Sequence, residues 1–279
     1  MLTDNLIPFL IVFIILSSIS FWPIKDERGP YKSLPIMTLS LIGINVGVFI
    51  WQYVVLPQQI GSDAASLFVE TRLLLVPAGV LSGSSGQGAI TMLTSAFLHG
   101  GWLHLADNMF FLLFFGRKVE DILGPVRLGL LYMVCLFVSQ IGSVICEVAL
   151  PSTRGLVPSL GASGAVMGLI GAYLFLYHGE RIRTLVLLNG ILPFPIPIPL
   201  RMSAAVFVFY MILRDVLNGW LEQQVQQQLG LRFSYVDSFA HLSGLIAGLL
   251  GMYLFLPAAI LHYQYQSTDK RKERELKAN

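Results

Sequence analysis

Residues 98–115 read Leu98-His99-Gly100-Gly101-Trp102-Leu103-His104-Leu105-Ala106-Asp107-Asn108-Met109-Phe110-Phe111-Leu112-Leu113-Phe114-Phe115. From Trp102 onward this is an apolar run of the kind that crosses a bilayer, yet it carries an imidazole, a carboxyl and an amide. Polar groups at that depth cost roughly 2.5–3.5 kcal/mol each on insertion scales and default to functional candidates. Composition decides between a membrane run and a soluble core helix. Hydrophobic residues make up 55% of the 279 and charged residues only 12%, against about 25% charged in ordinary globular chains. Mean hydropathy is +0.71. So little charge cannot cover the outside of a soluble fold, and lipid must act as part of the solvent. The expected class is an all-α polytopic membrane protein.

A spanning helix needs roughly 20 mostly apolar residues. Besides 102–115, the runs at 6–22, 36–56, 128–150, 162–177, 202–217 and 239–261 approach that length. Lipid offers backbone polar groups no partner, so all seven are read as helices. Lysine and arginine set their orientation. With the loop after the first run placed inside, only Arg72, Arg154, Arg214 and Arg232 of the 18 basic residues fall outside. This favours a cytoplasmic C-terminus and an external N-terminus. The first run has no basic residue before it and reads as an N-out anchor rather than a cleaved signal peptide.

The connecting segments divide by composition. Residues 57–101 mix Gly-Ser-Ser-Gly turns with apolar pieces too short to span, and read as structure lying in the outer interface. Residues 219–236 are glutamine-rich, with Leu221, Val225 and Leu229 on one stripe, and read as an amphipathic surface helix. Residues 191–200 carry four prolines and read as an irregular inner linker. Cys135 and Cys146 lie 11 residues apart in one apolar run, about 16 Å along a helix and too far for a disulfide. The net charge of +2 gives no reason to expect a nucleic-acid partner. The sequence sets no oligomeric state.

Three runs carry the polar atoms: 98–108, the Gly161-Ala162-Ser163-Gly164 opening of the fifth, and the Ala240-His241-Leu242-Ser243-Gly244 opening of the seventh. Each alone suits helix packing as well as chemistry. Gly164, Gly168 and Ala172 form a small-residue face at four-residue spacing, as do Ala240, Gly244 and Gly248. Those faces let the two helices approach closely, with Ser163 and His241 beside the seam at matching depth. His104 and Asn108 share a face of the third run near its outer end. A hydroxyl, an imidazole and two further donors are what acyl transfer requires: an activated nucleophile and hydrogen bonds to a developing oxyanion.

These residues resemble the rhomboid family of intramembrane serine proteases. The matching pieces are Leu98 to His104 followed by Asn108; Gly116 with Glu120 and Gly124; Gly161-Ala162-Ser163-Gly164; and Ala240-His241 with Gly244 and Gly248, in the family's order and spacing. The resemblance covers residues 24 to about 261. It implies a six-helix core at 24–262 preceded by an additional helix at 1–23, giving seven spans, and followed by a charged tail at 263–279. Ser163 would be the nucleophile and His241 its general base. The Ser163 N–H and the side chains of His104 and Asn108 would form the oxyanion hole. His99 and Glu120 would be structural. Transmembrane proteins would be the substrates, cut near the outer face, with the bacterial plasma membrane as the expected location. No metal or organic cofactor is implied.

The chain departs from the family pattern at identifiable places. Many members carry Trp-Arg four and three residues before the outer-loop threonine, where Ile90 and Thr91 precede Thr94 here. Met167 stands where some members have a tyrosine against the catalytic imidazole, and Asp107 is unusual beside Asn108. Asp237, four residues before His241, is a helix N-cap or an orienter of the imidazole. Two rival readings complete the set. A non-catalytic rhomboid-like binder of transmembrane segments would usually lack the serine or the histidine, and both are present. The other is a small transporter or channel using His104, Asp107 and His241 as a proton path, and no internal repeat of the transporter kind stands out.

Overall fold

A computed structural model describes residues 19–26, 33–83, 88–149, 158–188, 197–229 and 237–255. The chain divides into two compact units. The larger takes its described residues from 33–176 and 239–255, the smaller from 19–26 and 177–238.

In the larger unit, α1 (Ile36–Ile60) is followed by three short helices, α2 (Ser62–Phe68), α3 (Pro77–Leu81) and α4 (Ala89–Ser95). Helix α5 starts at Trp102, widens through a π turn at Leu112–Gly116 and resumes over Arg117–Leu123. Then come α6 (Pro125–Ala149), α7 (Ser163–Tyr177) and, after the smaller unit's α8 (Ala204–Leu229), α9 (Ser238–Phe255). Among the described residues, Ile36–Ile60, Pro125–Cys146, Ala204–Leu221 and Ser238–Phe255 are long and apolar enough to cross a membrane. The chain is an integral membrane protein. Helix α7 is shorter, at 15 residues, or about 22 Å. Of the seven expected spans, four therefore meet the length criterion, and residues 6–18 of the first lie outside the described residues.

Glu120 anchors the start of α1. Its Oε1 accepts the Met37 N–H at 2.8 Å, and its Oε2 accepts the Thr38 N–H at 2.9 Å and the Thr38 hydroxyl at 2.6 Å. The first N–H groups of a helix have no intrahelical acceptor, and a carboxylate there also complements the helix dipole. Gly116, one turn before Glu120, leaves room for Thr38: an added Cβ would lie 3.2 Å from its side chain.

The three short helices lie between α1 and α5, within the segment 57–101. Leu56, Ala65, Val69, Leu74 and Leu98 form their buried core, with Leu160 packed against it. Without Trp-Arg, the segment is tied by threonines. Thr94 donates to the Leu73 carbonyl at 2.8 Å, and the fully buried Thr91 accepts the Gly88 N–H at 3.0 Å. The chain leading to α7 joins this structure through Ser159 N–H to Leu75 O at 2.7 Å and Gly161 N–H to Ser95 O at 2.9 Å.

The smaller unit corrects the all-α expectation. It holds a three-stranded antiparallel sheet in the order β1 (Ile19–Asp26), β2 (Arg181–Leu188), β3 (Pro197–Ser203). Residues 19–22 are therefore strand, not the end of a first helix. Ile19, Phe21 and Trp22 favour strands, and Pro23 disfavours the α region for Trp22. Residues 197–200, expected in an irregular linker, belong to β3. Pro197 and Pro199 both fit there because β3 is an edge strand, where alternate N–H groups need no partner. In β2, Ile182, Thr184 and Val186 are buried while Arg181 and Arg183 are exposed, the two-residue period of a half-buried strand. Helix α8 runs unbroken through Gly219 to Leu229, so the glutamine-rich stripe begins as its extension rather than as a separate surface helix. Residues 230–236 lie outside the described residues.

Candidate active site

Helices α7 and α9 approach closely because glycine removes side chains from both faces. A Cβ added at Gly244 would collide with the carbonyl oxygen of Gly164, and one at Gly248 with that of Gly168. A Cβ at Gly171 would collide with the Leu245 carbonyl. Small-residue seams of this kind are how membrane helices gain contact without a hydrophobic driving force. Helix α6 joins the same seam: Ser139 fills the space over Gly164, Cys135 that over Gly168, and Ser243 that over Gly142. The packing part of Cys135 and Ser139 was not anticipated from sequence. Their spacing of four residues, equal to that of Gly164 and Gly168, is the signal that would have found it.

The seam fixes the distance between two helix starts. Ser163 is the first residue of α7 and His241 lies in the first turn of α9. The Ser163 Oγ and the His241 Nε2 are 2.7 Å apart, and both residues are half-buried. That is within the range of a strong O–H to N hydrogen bond. As the first residue of α7, Ser163 also belongs to the turn whose N–H groups lack intrahelical acceptors. Its amide is therefore a donor at the positive end of the helix dipole.

Gly161 brings His104 to the same place. Its φ is +116°, a region open to glycine, and an added Cβ would stand 2.9 Å from both Cε1 and Nε2 of His104. The Gly100 N–H donates to His104 Nδ1 at 3.4 Å. An accepting Nδ1 leaves the proton of the neutral ring on Nε2. Asn108, buried one turn later, donates from Nδ2 to the His104 carbonyl at 3.1 Å. An amide nitrogen has two hydrogens, so one remains for another acceptor.

His99 is fully buried, with its ring centroid 5.2 Å from that of His104. Its backbone is what holds it. The His99 N–H donates to Gln52 Oε1 at 3.3 Å, and its carbonyl accepts from Tyr53 Oη at 3.2 Å. Both partners come from the π turn at Trp51–Val55 in α1, which sequence reading did not single out. Met167 is buried one turn after Ser163, and Asp107 is exposed on α5. Asp237 occupies the cap position immediately before α9.

A family model for the Rhomboid domain matches residues 86–258. The chain is similar to Rhomboid protein 1, mitochondrial, of Saccharomyces cerevisiae, with 29% identity over 87% of this chain and 57% of the relative. It is also similar to RHOMBOID-like protein 1 of Arabidopsis thaliana, with 31% identity over 64% of this chain and 38% of the relative. Presenilin-associated rhomboid-like protein, mitochondrial, of Rattus norvegicus shares 30% identity over 57% of this chain and 36% of the relative. The matches thus span between about one third and just over half of these relatives. Two are named mitochondrial and the third is from a plant, so the expected bacterial plasma membrane gains no support from them. With the Rhomboid domain covering well over half of its residues, this chain belongs to the rhomboid family.

Proposed function

We propose that the protein is an intramembrane serine endopeptidase, with residues 24–262 as its protease domain and transmembrane proteins as its substrates. The observation that carries this reading is the 2.7 Å contact between Ser163 Oγ and His241 Nε2, made at the ends of two helices locked by glycine. In the proposed reaction, Oγ attacks the scissile carbonyl as His241 Nε2 takes its proton. The same imidazolium then protonates the leaving amine, and a water activated by His241 releases the acyl group. The developing oxyanion is met by the Ser163 N–H, by Nε2–H of His104 and by the second Nδ2 hydrogen of Asn108.

Water must reach the site, and both Ser163 and His241 lie at helix starts rather than at mid-helix. The proposed site opens to the outer face of the membrane. A helical substrate keeps its carbonyls in intrahelical hydrogen bonds, so a segment unwound by glycine, proline or small polar residues near its outer end is the preferred target. The orienting part for Asp237 belongs to this proposal as well. Asp237→Asn would then change the pH profile of cleavage, and an unchanged rate and profile would leave Asp237 as a helix cap alone.

The test uses full-length protein reconstituted with a tagged transmembrane substrate carrying such a segment. Wild type should release the outer fragment, and Ser163→Ala should retain it uncut. If Ser163→Ala cleaves as wild type does, the assignment is wrong. If wild type holds the substrate without cutting it, the non-catalytic binder is the better reading.

A further inference from the structure

The sheet of the smaller unit carries an arrangement that proteolysis does not use. Its register places Lys25 opposite Arg183 and Arg183 opposite Arg201, so one cation from each strand stands in a single row. Residues paired across strands share a face, and like charges directly opposite are destabilising. All three are exposed. Arg181, two residues before Arg183, extends the patch on the same exposed face. The three strands with the adjoining Glu180 contain four basic residues and two acidic ones, Asp26 and Glu180. Arg201 and Glu180 are each engaged in a further interaction, so the row is an excess of positive charge rather than three bare cations.

The next rows on that face are apolar. Trp22 pairs with Leu185 and Leu185 with Pro199. A bulge at Ile24 keeps Trp22 and Lys25 on one face, since the register shifts between Pro23 and Lys25. The opposite face is the buried one, with Pro23, Ile182, Thr184 and Val186.

Helix α8 sets the depth of these rows. Strand β3 ends at Ser203 and the membrane-crossing stretch of α8 begins at Ala204, so the basic row lies beside the start of that span. The other end of β1 lies further along it. Tyr210 donates its hydroxyl to the Ile19 carbonyl at 3.3 Å, and its ring centroid is 3.9 Å from that of Phe21. Tyr210 is six residues into α8, roughly 9 Å from its start. The sheet therefore runs along the first turns of a helix long and apolar enough to span, with its apolar rows further along that helix and its basic row beside its start, where a span meets the headgroup boundary. Tryptophan is the residue most at home at that boundary, and basic residues there attract anionic lipid.

We propose that the Lys25–Arg183–Arg201 row binds the phosphate headgroup of an anionic phospholipid, whose acyl chain lies along Trp22, Leu185 and Pro199. The bound phosphate offsets the like-charge repulsion that the register imposes. Each basic residue near an anionic surface contributes about fivefold in affinity, so removing three weakens binding on the order of a hundredfold.

The experiment places the full chain in nanodiscs of phosphatidylcholine alone or of an equal mixture with phosphatidylglycerol. Native mass spectrometry then counts the lipid retained on detergent extraction. Wild type should retain phosphatidylglycerol in preference to phosphatidylcholine and melt higher in the mixture. A variant with Lys25→Gln, Arg183→Gln and Arg201→Gln should lose the preference while melting no lower than wild type in phosphatidylcholine, because repulsion is relieved. Arg183→Lys with Arg201→Lys should keep the preference. The proposal is overturned if the glutamine variant retains phosphatidylglycerol as wild type does, or if the lysine variant loses it. It is also overturned if inorganic phosphate raises wild-type melting in phosphatidylcholine nanodiscs as much as phosphatidylglycerol does, which would mark a site for a free anion.

Discussion

The glycine seam between α7 and α9 and the sheet of β1–β3 are held together in opposite ways. In the seam, backbone lies against backbone: the carbonyls of Gly164 and Gly168 occupy the space that side chains at Gly244 and Gly248 would need. Nothing there can move without moving Ser163 and His241. In the sheet, hydrogen bonds hold the strands while one face carries a row of like charges from Lys25 to Arg201. The seam spends its sequence on fixing one distance. The sheet presents an exposed basic row that its hydrogen-bonded register brings together. Rigid packing marks the place where the chemistry is proposed, and the basic row marks the place where the anionic lipid is proposed to bind.

The sharpest way to break this contrast is to put a side chain into the seam. Gly248→Leu would force α7 and α9 apart, at a cost of 3 kcal/mol or more on the scale of about 1–3 kcal/mol for ordinary overpacking. The expected outcome is loss of a folded, monodisperse protein in mild detergent, read by thermal melting. Wild-type melting would mean that the seam is not the structural lock.

A smaller change isolates the site from the seam. Asn108→Ala should keep the fold and lower kcat by about 100–1,000-fold, the range for loss of an oxyanion donor. Gly161→Ala should produce a loss of about a hundredfold, since its Cβ displaces His104 and removes another such donor. A proteolysis assay with melting curves for each variant checks both. Equal loss of stability and activity would reduce the two residues to packing.

The smallest expected effect belongs to the sheet. Arg183→Thr removes the central charge and places a strand-favouring residue between Lys25 and Arg201. In phosphatidylcholine it should raise stability by about 0.2–1 kcal/mol, the size of one cross-strand pair term. A fall in stability would mean that Arg183 is held by a favourable partner instead.

The two regions also differed in how well the sequence revealed them. Glycines at 164, 168, 244 and 248 repeat every four residues, so their shared face is visible without a structure. Ser163, His241, His104 and Asn108 stood out because polar atoms are costly at bilayer depth. The sheet was hidden for a physical reason. Its prolines read as an irregular linker, and its arginines speak to orientation, where only their side of the membrane counts. The alternation of Ile182, Thr184 and Val186 with Arg181 and Arg183 was present but short, and pairing with Ile19–Asp26 joins segments far apart in sequence. The π turns at Trp51–Val55 and Leu112–Gly116 were equally hidden, because helical periodicity does not record one widened turn.

The central claim is that Ser163 is a nucleophile activated by His241. The most direct measurement is intact-protein mass spectrometry after treatment with a serine-directed fluorophosphonate, followed by mapping of the modified residue. One adduct on Ser163 is expected in wild type, and none in Ser163→Ala or in a folded His241→Ala variant. Labelling of Ser163 at the wild-type rate in His241→Ala would contradict the account, as would a folded wild-type protein that takes up no probe.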